Sequence, residues 1–295
     1  MRTTIFGLGF ALTLAITAQA HASDIDWTKV DAALGKTASV QGDVHRYGIP
    51  RTDLQVTLDG VAIKPALALG GWVAFEPVQD GALVMGDLVL TETEVNPVMS
   101  KLLESGIEIT AVHNHLIRAN PPTLYMHIHG HGDPLAMAAA IHAALTDSKT
   151  PFGASVAPAA STVLIGFDTD KLDAAIGAKG KVSGGVYQFS VSRKDTITEK
   201  GIPIPPAMGT AIAINFQPTG DDKAAVTGDF VVTAEEVNPM IRALRENGIE
   251  VTAIHSHMLD EQPRLFFVHF WGNDDAVKLA KGLRAALEKI AVARN

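Results

Sequence analysis

Between residues 107 and 115 apolar and polar positions alternate. Ile107, Ile109, Ala111, His113 and His115 fall on one side of an extended chain, and Glu108, Thr110, Val112 and Asn114 on the other. The pattern predicts a strand whose more apolar row ends in two histidines. A second strand follows a Pro-rich gap, with Tyr125, His127, His129 and His131 on one face. A hairpin centred near residue 120 sets His113 opposite His127, close enough for the two imidazoles to converge.

Strand-like segments VQGDVHRYGI, LQVTL, GGWVAFEPV and ALVMGDLVL precede this hairpin, separated by Gly and Pro turn signals. Helical patterns are predicted around 26–34, up to about Ser105, and from Asp133-Pro134 to about Leu145. The start of the middle helix has two solutions. Thr91 with Glu94 fits a capping box, and Asn96-Pro97 fits an N-cap followed by proline at the first helical position. The cost of a proline inside a helix favours the later start.

The whole pattern then recurs. IDWTKVDAALG (25–35) matches FDTDKLDAAIG (167–177), and GDLVLTETEVNP (86–97) matches GDFVVTAEEVNP (228–239), each displaced by 142 residues. Between 86–115 and 228–257, 17 of 30 aligned positions are identical without a gap, which marks an internal duplication. The expected organisation is a leader over 1–22, unit one over 23–147, a Pro/Ala/Ser-rich linker over 148–161, and unit two over 162–295. Helices and antiparallel strands mixed in this way predict an α+β fold, with each unit an antiparallel sheet flanked by helices.

Composition narrows the function. Met1-Arg2, the apolar run TIFGLGFALTLAI and the small-x-small sites at Ala18–Ala20 and Ala20–Ala22 predict a signal peptide and an exported, periplasmic or secreted protein. No later stretch reaches the ~18 apolar residues of a membrane span. The absence of cysteine excludes disulfides, thiolate metal sites and a cysteine nucleophile. A net charge of −8 with no basic cluster argues against nucleic acid. No GxSxG, HExxH, Walker or GxGxxG motif stands in the right context.

The histidines carry the remaining signal. His113, His115 and His127 recur as His255, His257 and His269, also displaced by 142. A His-x-His pair joined by a third His from a neighbouring strand suits one transition-metal ion in each unit, zinc or copper, with a coordination position left open. His129 and His131 extend the face in unit one, where unit two has Trp271 and Asn273. The competing reading is a hydrogen-bonded polar network inherited by both copies. His45, His142 and His21 fall outside the pattern. Glu94 is the one modest candidate for a general base, and capping explains it equally well. Asp87 and Asp229 each follow a glycine and read equally as turn or bulge residues.

The joined blocks GD-(L/F)-V-(L/V)-T-x-x-EVNP and GIE-(I/V)-TA-(V/I)-H-x-H resemble the LppY/LpqO-like family of bacterial envelope proteins over most of both units. That resemblance implies an exported protein and assigns no reaction. Lipid anchoring, which its namesakes suggest, does not transfer to a chain without cysteine. Three functions fit: a metal-binding protein, a metal-dependent hydrolase or lyase, and a non-catalytic envelope module that binds a small molecule, glycan, lipid or protein through a pocket between its units.

Overall fold

The computed structural model describes residues 25–152 and 165–293. The expected leader and most of the linker lie outside these residues. Unit one runs α1 (Trp27–Leu34), β1 (Ser39–Gln41), β2 (Val44–Pro50), β3 (Thr57–Leu58), β4 (Val61–Ala62), α2 (Pro65–Ala68), β5 (Gly70–Val78), β6 (Gly81–Thr91), α3 (Glu92–Glu104), β7 (Glu108–His113), β8 (Thr123–Gly132) and α4 (Pro134–Leu145). Unit two repeats the order: α5 (Thr169–Ile176), β9 (Lys181–Ser183), β10 (Val186–Val191), β11 (Thr198–Glu199), β12 (Ile202–Pro203), a 3-10 turn (Pro206–Met208), β13 (Ile212–Gly220), β14 (Lys223–Thr233), α6 (Ala234–Glu246), β15 (Glu250–His255), β16 (Glu261–Gln262), β17 (Leu265–Asp275) and α7 (Ala276–Leu287). The fold is α+β, as expected.

Each unit builds a six-stranded sheet, in the order β1-β2-β5-β6-β8-β7 and its counterpart β9-β10-β13-β14-β17-β15. The strand pairings are antiparallel. Alternation along β6 explains the layering. Val84, Leu88 and Leu90 join a core with Val30, Leu34, Val98, Leu102 and Ile141 of the helices. Leu83 and Met85, on the other face, join a core with Ile197, Ile204 and Val231 of unit two. Helices therefore cover the outer faces, and the two sheets meet through their inner faces. Burial on both sides removes the polar row that a solvent-facing sheet would show.

Each unit also lays an arm across the other. From the β4–α2 segment, the Lys64 amide donates to Gln217 Oε1 (2.9 Å), and the Ala62 and Ala66 carbonyls accept from Gln217 and Gln188. From the 3-10 turn of unit two, the Ala207 carbonyl accepts from Arg46 at 2.6 Å, while the Arg46 guanidinium stacks over Trp72.

The middle helix starts earlier than the proline suggested. It begins at Glu92 with Thr91 as N-cap, and Pro97 lies inside it; α6 repeats this with Thr233 and Pro239. The reason lies in Glu94. Its oxygens accept from the Thr91 and Lys149 amides and from Arg51, which is fully buried. That buried ion pair and the capping box hold the first turn and offset the hydrogen bond that Pro97 cannot make. Gly106 and Gly248 follow the helices at φ 78° and 74°, the left-handed geometry expected after a helix end.

Candidate metal centre at the interface of the two units

The β7–β8 register differs from the expected hairpin by two residues. Ala111 lies opposite His127 and His113 opposite Tyr125, with a bulge between Ile109 and Ala111. Unit two repeats this: Ala253 faces His269 and His255 faces Phe267. His113 is therefore not the cross-strand neighbour of His127. His113 and His255 are the last paired residues of β7 and β15, and the His-x-His segments that they open lie at the seam between the units.

The consequence is that the histidines of the two units meet at one seam. His113 stacks on His255 with ring centroids 3.4 Å apart, His115 on His269 at 3.6 Å, and His127 on His257 at 3.7 Å. All three contacts cross between units. Nitrogens of His127, His255 and His257 lie within 4.8 Å of one another, as do those of His113, His115, His255 and His269. The first set joins the His-x-His pair of unit two to one histidine of unit one, and the second joins the His-x-His pair of unit one to two histidines of unit two.

The strands supply two further groups that the sequence reading set aside. Asp87 lies directly across the ladder from His127, and Asp229 from His269. Asp87, His115 and His127 form a third donor set, and Asp229, His257 and His269 a fourth. The repeated Gly-Asp was the available signal, because both copies place the acid opposite the third histidine. The glycines matter as well: a Cβ on Gly86 would come 2.9 Å from the Trp72 carbonyl, and one on Gly228 would meet the Ala213 carbonyl at 1.9 Å. Glycine thus lets neighbouring strands close while the next residue points inward.

Backbone groups orient the rings. His269 Nδ1 donates to the Gly228 carbonyl (2.8 Å), and His255 Nδ1 to that of Ser256 (3.2 Å). His127 is likewise hydrogen-bonded to the Gly86 backbone. A carbonyl only accepts, so both Nδ1 atoms of His255 and His269 carry the hydrogen and both Nε2 atoms present lone pairs. Those two Nε2 atoms lie 2.8 Å apart. Imidazoles anchored in this way through the ring nitrogen away from the centre are characteristic of metal ligands.

Burial sets the charge states. It holds His115, His127 and His257 well below the ordinary imidazole range, with the other rings adding to the effect. His113 is held below it by burial and by His255, His127 and His269. His255 is brought down to about 4 and His269 to about 3, burial being the main cause in each. Burial pushes Asp87 up to about 7, partly opposed by Arg46, and holds Asp229 well above the ordinary carboxylate range, with the Asp87 charge contributing. The rings are neutral at pH 7, the state in which imidazole binds metal.

The remaining candidates lie elsewhere. His129 is buried and paired with Glu199 of unit two (2.9 Å) and with Glu108 (3.2 Å). Its counterpart Trp271 donates to Asp59 of unit one (3.1 Å). Both positions brace the seam, and the difference between the copies is a change of brace. His131 is exposed and belongs to none of the donor sets. His45 stacks on Trp27, and His142 Nδ1 donates to the Leu34 carbonyl. Glu94 is committed to Arg51 and the helix start and joins no donor set, which removes it as a candidate base. A separate cleft of about 440 Å³, lined by Glu76 of unit one and by Arg193, Asp195 and Thr196 of unit two, includes none of these histidines.

A family model described as Domain of Unknown Function (DUF1259) matches residues 28–147 and again 170–289. The chain belongs to that family. Two tandem DUF1259 copies span most of its length, and the six histidines fall three in each copy. No curated protein sequence matches the chain. Among solved structures it is similar to a trimeric bacterial microcompartment shell protein, PduB (14% identity, 88% of this chain and 95% of that one, TM-score 0.22). It is also similar to EtuB from Clostridium kluyveri (10% identity, 86% and 89%, TM-score 0.20). TM-scores this low assign the DUF1259 chain neither a fold nor a function.

Proposed function

We propose that this chain is an exported protein that binds a divalent transition metal, zinc or copper, at the seam between its two units. The N-terminal segment 1–22 supports export to the periplasm or outside the cell, as does the resemblance to LppY/LpqO-like envelope proteins. The observation that carries the metal reading is the facing pair of lone pairs on His255 and His269 Nε2, 2.8 Å apart. Two lone pairs this close repel unless each is taken by a cation, and burial disfavours a proton there.

The surroundings agree. Seven buried side-chain polar atoms of His113, His115, His127, His257, Asp87 and Asp229 have no hydrogen-bond partner among the described residues. Each such atom costs roughly 1–3 kcal/mol when left unpaired. A metal ion satisfies several together. Neutral imidazoles with carboxylates suit zinc and copper.

The test is elemental analysis of untagged protein purified from the periplasm, for wild type and for His115→Ala/His257→Ala. Stoichiometric metal in the wild type, lost in the variant, is expected. Wild-type protein that binds neither zinc nor copper from a buffered solution would remove this reading.

A further inference from the structure

We infer that the seam holds two metal ions rather than one, bridged by the carboxylate of Asp87, with Asp229 completing one of the two shells. This rests on the metal reading above and adds the number of ions and the role of the two acids.

Donor geometry sets the number. Ligand atoms that share one ion at ~2.0–2.2 Å lie within about 4.4 Å of each other. Among the described residues, no set of three or more donors within 4.8 Å contains both Asp87 and Asp229. One ion therefore cannot take both acids together with a histidine. An ion held by His113, His115, His255 and His269 would also leave His127 Nε2, His257 Nε2, Asp87 Oδ1 and Asp229 Oδ1 buried and unpaired.

A reciprocal division uses every donor. His255 and His257 of unit two with His127 of unit one make one shell. His113 and His115 of unit one with His269 of unit two make the other. The internal repeat exchanges the two sets, since His113, His115 and His127 correspond to His255, His257 and His269.

Asp87 spans the two shells, with Oδ2 towards His115 Nε2 (3.9 Å) and Oδ1 towards His127 Nε2 (4.0 Å). Separations near 4 Å leave space for an ion between each oxygen and its imidazole, and a carboxylate that offers one oxygen per ion suits a pair of ions about 3.5–4 Å apart. Asp229 belongs to the first shell alone: its Oδ2 lies 3.3 Å from His257 Nε2, whereas its Oδ1 faces His269 Nδ1, the nitrogen that donates to the Gly228 carbonyl. Together the two acids balance half of the four positive charges, and His113, His115 and His255, all partly exposed, leave a way in from solvent.

The experiment titrates the full-length mature protein, stripped of metal, with Zn²⁺ and separately with Cu²⁺. Bound metal is read by elemental analysis and the copper form by electron paramagnetic resonance. Two ions per chain and an exchange-coupled copper signal are expected. His127→Ala should drop the count to one, and Asp87→Asn should abolish the coupling, with circular dichroism confirming the fold of each variant. One ion per wild-type chain overturns the pair and leaves the metal reading standing. Two ions without coupling overturn the bridge, and no bound ion overturns both readings. The wild-type count stands even if a variant does not fold.

Discussion

His127 of unit one lies flat against His257 of unit two, with ring centroids 3.7 Å apart. The two residues stand 130 positions apart in the chain, yet they serve one donor set. Replacing either therefore disables the same ion. His127→Ala, His257→Ala and the double variant should retain equal amounts of metal, a non-additive result. His127→Ala/His269→Ala should lose both ions. Equilibrium dialysis with zinc distinguishes the two patterns, and an additive loss in the first series would contradict the shared set.

Because the ligands come from both units, bound metal favours the docked state. Free metal at 100 times its dissociation constant adds about 2.7 kcal/mol per site. For a protein of this size each kcal/mol raises Tm by about 2–4 °C. Calorimetry in a metal buffer and in EDTA should separate the two transitions accordingly. Coincident curves in a sample shown to carry metal would mean that the ion does not clamp the units.

The Arg51–Glu94 pair and its copy Arg193–Glu236 belong to folding rather than to the centre. Arg51→Ala leaves Glu94 buried without its cation and should cost about 3–5 kcal/mol by urea denaturation. The metal content of the folded fraction should stay at the wild-type value.

The same carboxylates give an acid limb. Burial pushes Glu94 and Glu236 up, but hydrogen bonds from arginine and backbone amides outweigh it and hold both below the usual carboxylate range. A depressed folded-state pKa contributes stability above the unfolded value of about 4.3, and that stability is lost as pH falls through the folded-state values. The advantage of wild type over Glu94→Gln/Glu236→Gln should be full at pH 7 and shrink below about pH 4. Urea midpoints across this range test it, and a pH-independent difference would rule out the ionised pairs as its source.

Position 131 serves as a control. His131 is exposed and outside every donor set. His131→Ala should change stability by less than about 0.5 kcal/mol and leave metal content intact. Trp271→Ala, which empties a buried position at the seam, should cost about 3–5 kcal/mol.

The α+β duplication was legible in the sequence because periodicity and repetition are local properties. Trp27–Leu34, Thr169–Ile176 and Pro134–Leu145 form helices where the pattern places them. The start of α3 was not legible, since Glu94 gains its weight from Arg51, 43 residues away. The six histidines could be named, but their grouping could not. The β7–β8 pairing is offset by two from the expected hairpin, and partnership across the seam depends on how the two sheets face each other. Asp87 and Asp229 were undervalued for the same reason: their opposition to His127 and His269 exists only once β6 pairs with β8 and β14 with β17.

His129 with Glu199 on one side and Trp271 with Asp59 on the other are unequal braces at related places. In a homodimer one gene writes both sides of the seam, so every substitution appears twice. Joining the copies in a single polypeptide lifts that rule, and each side is free to evolve alone. The same union makes the copies inseparable, because deleting either one would strip donors from both shells.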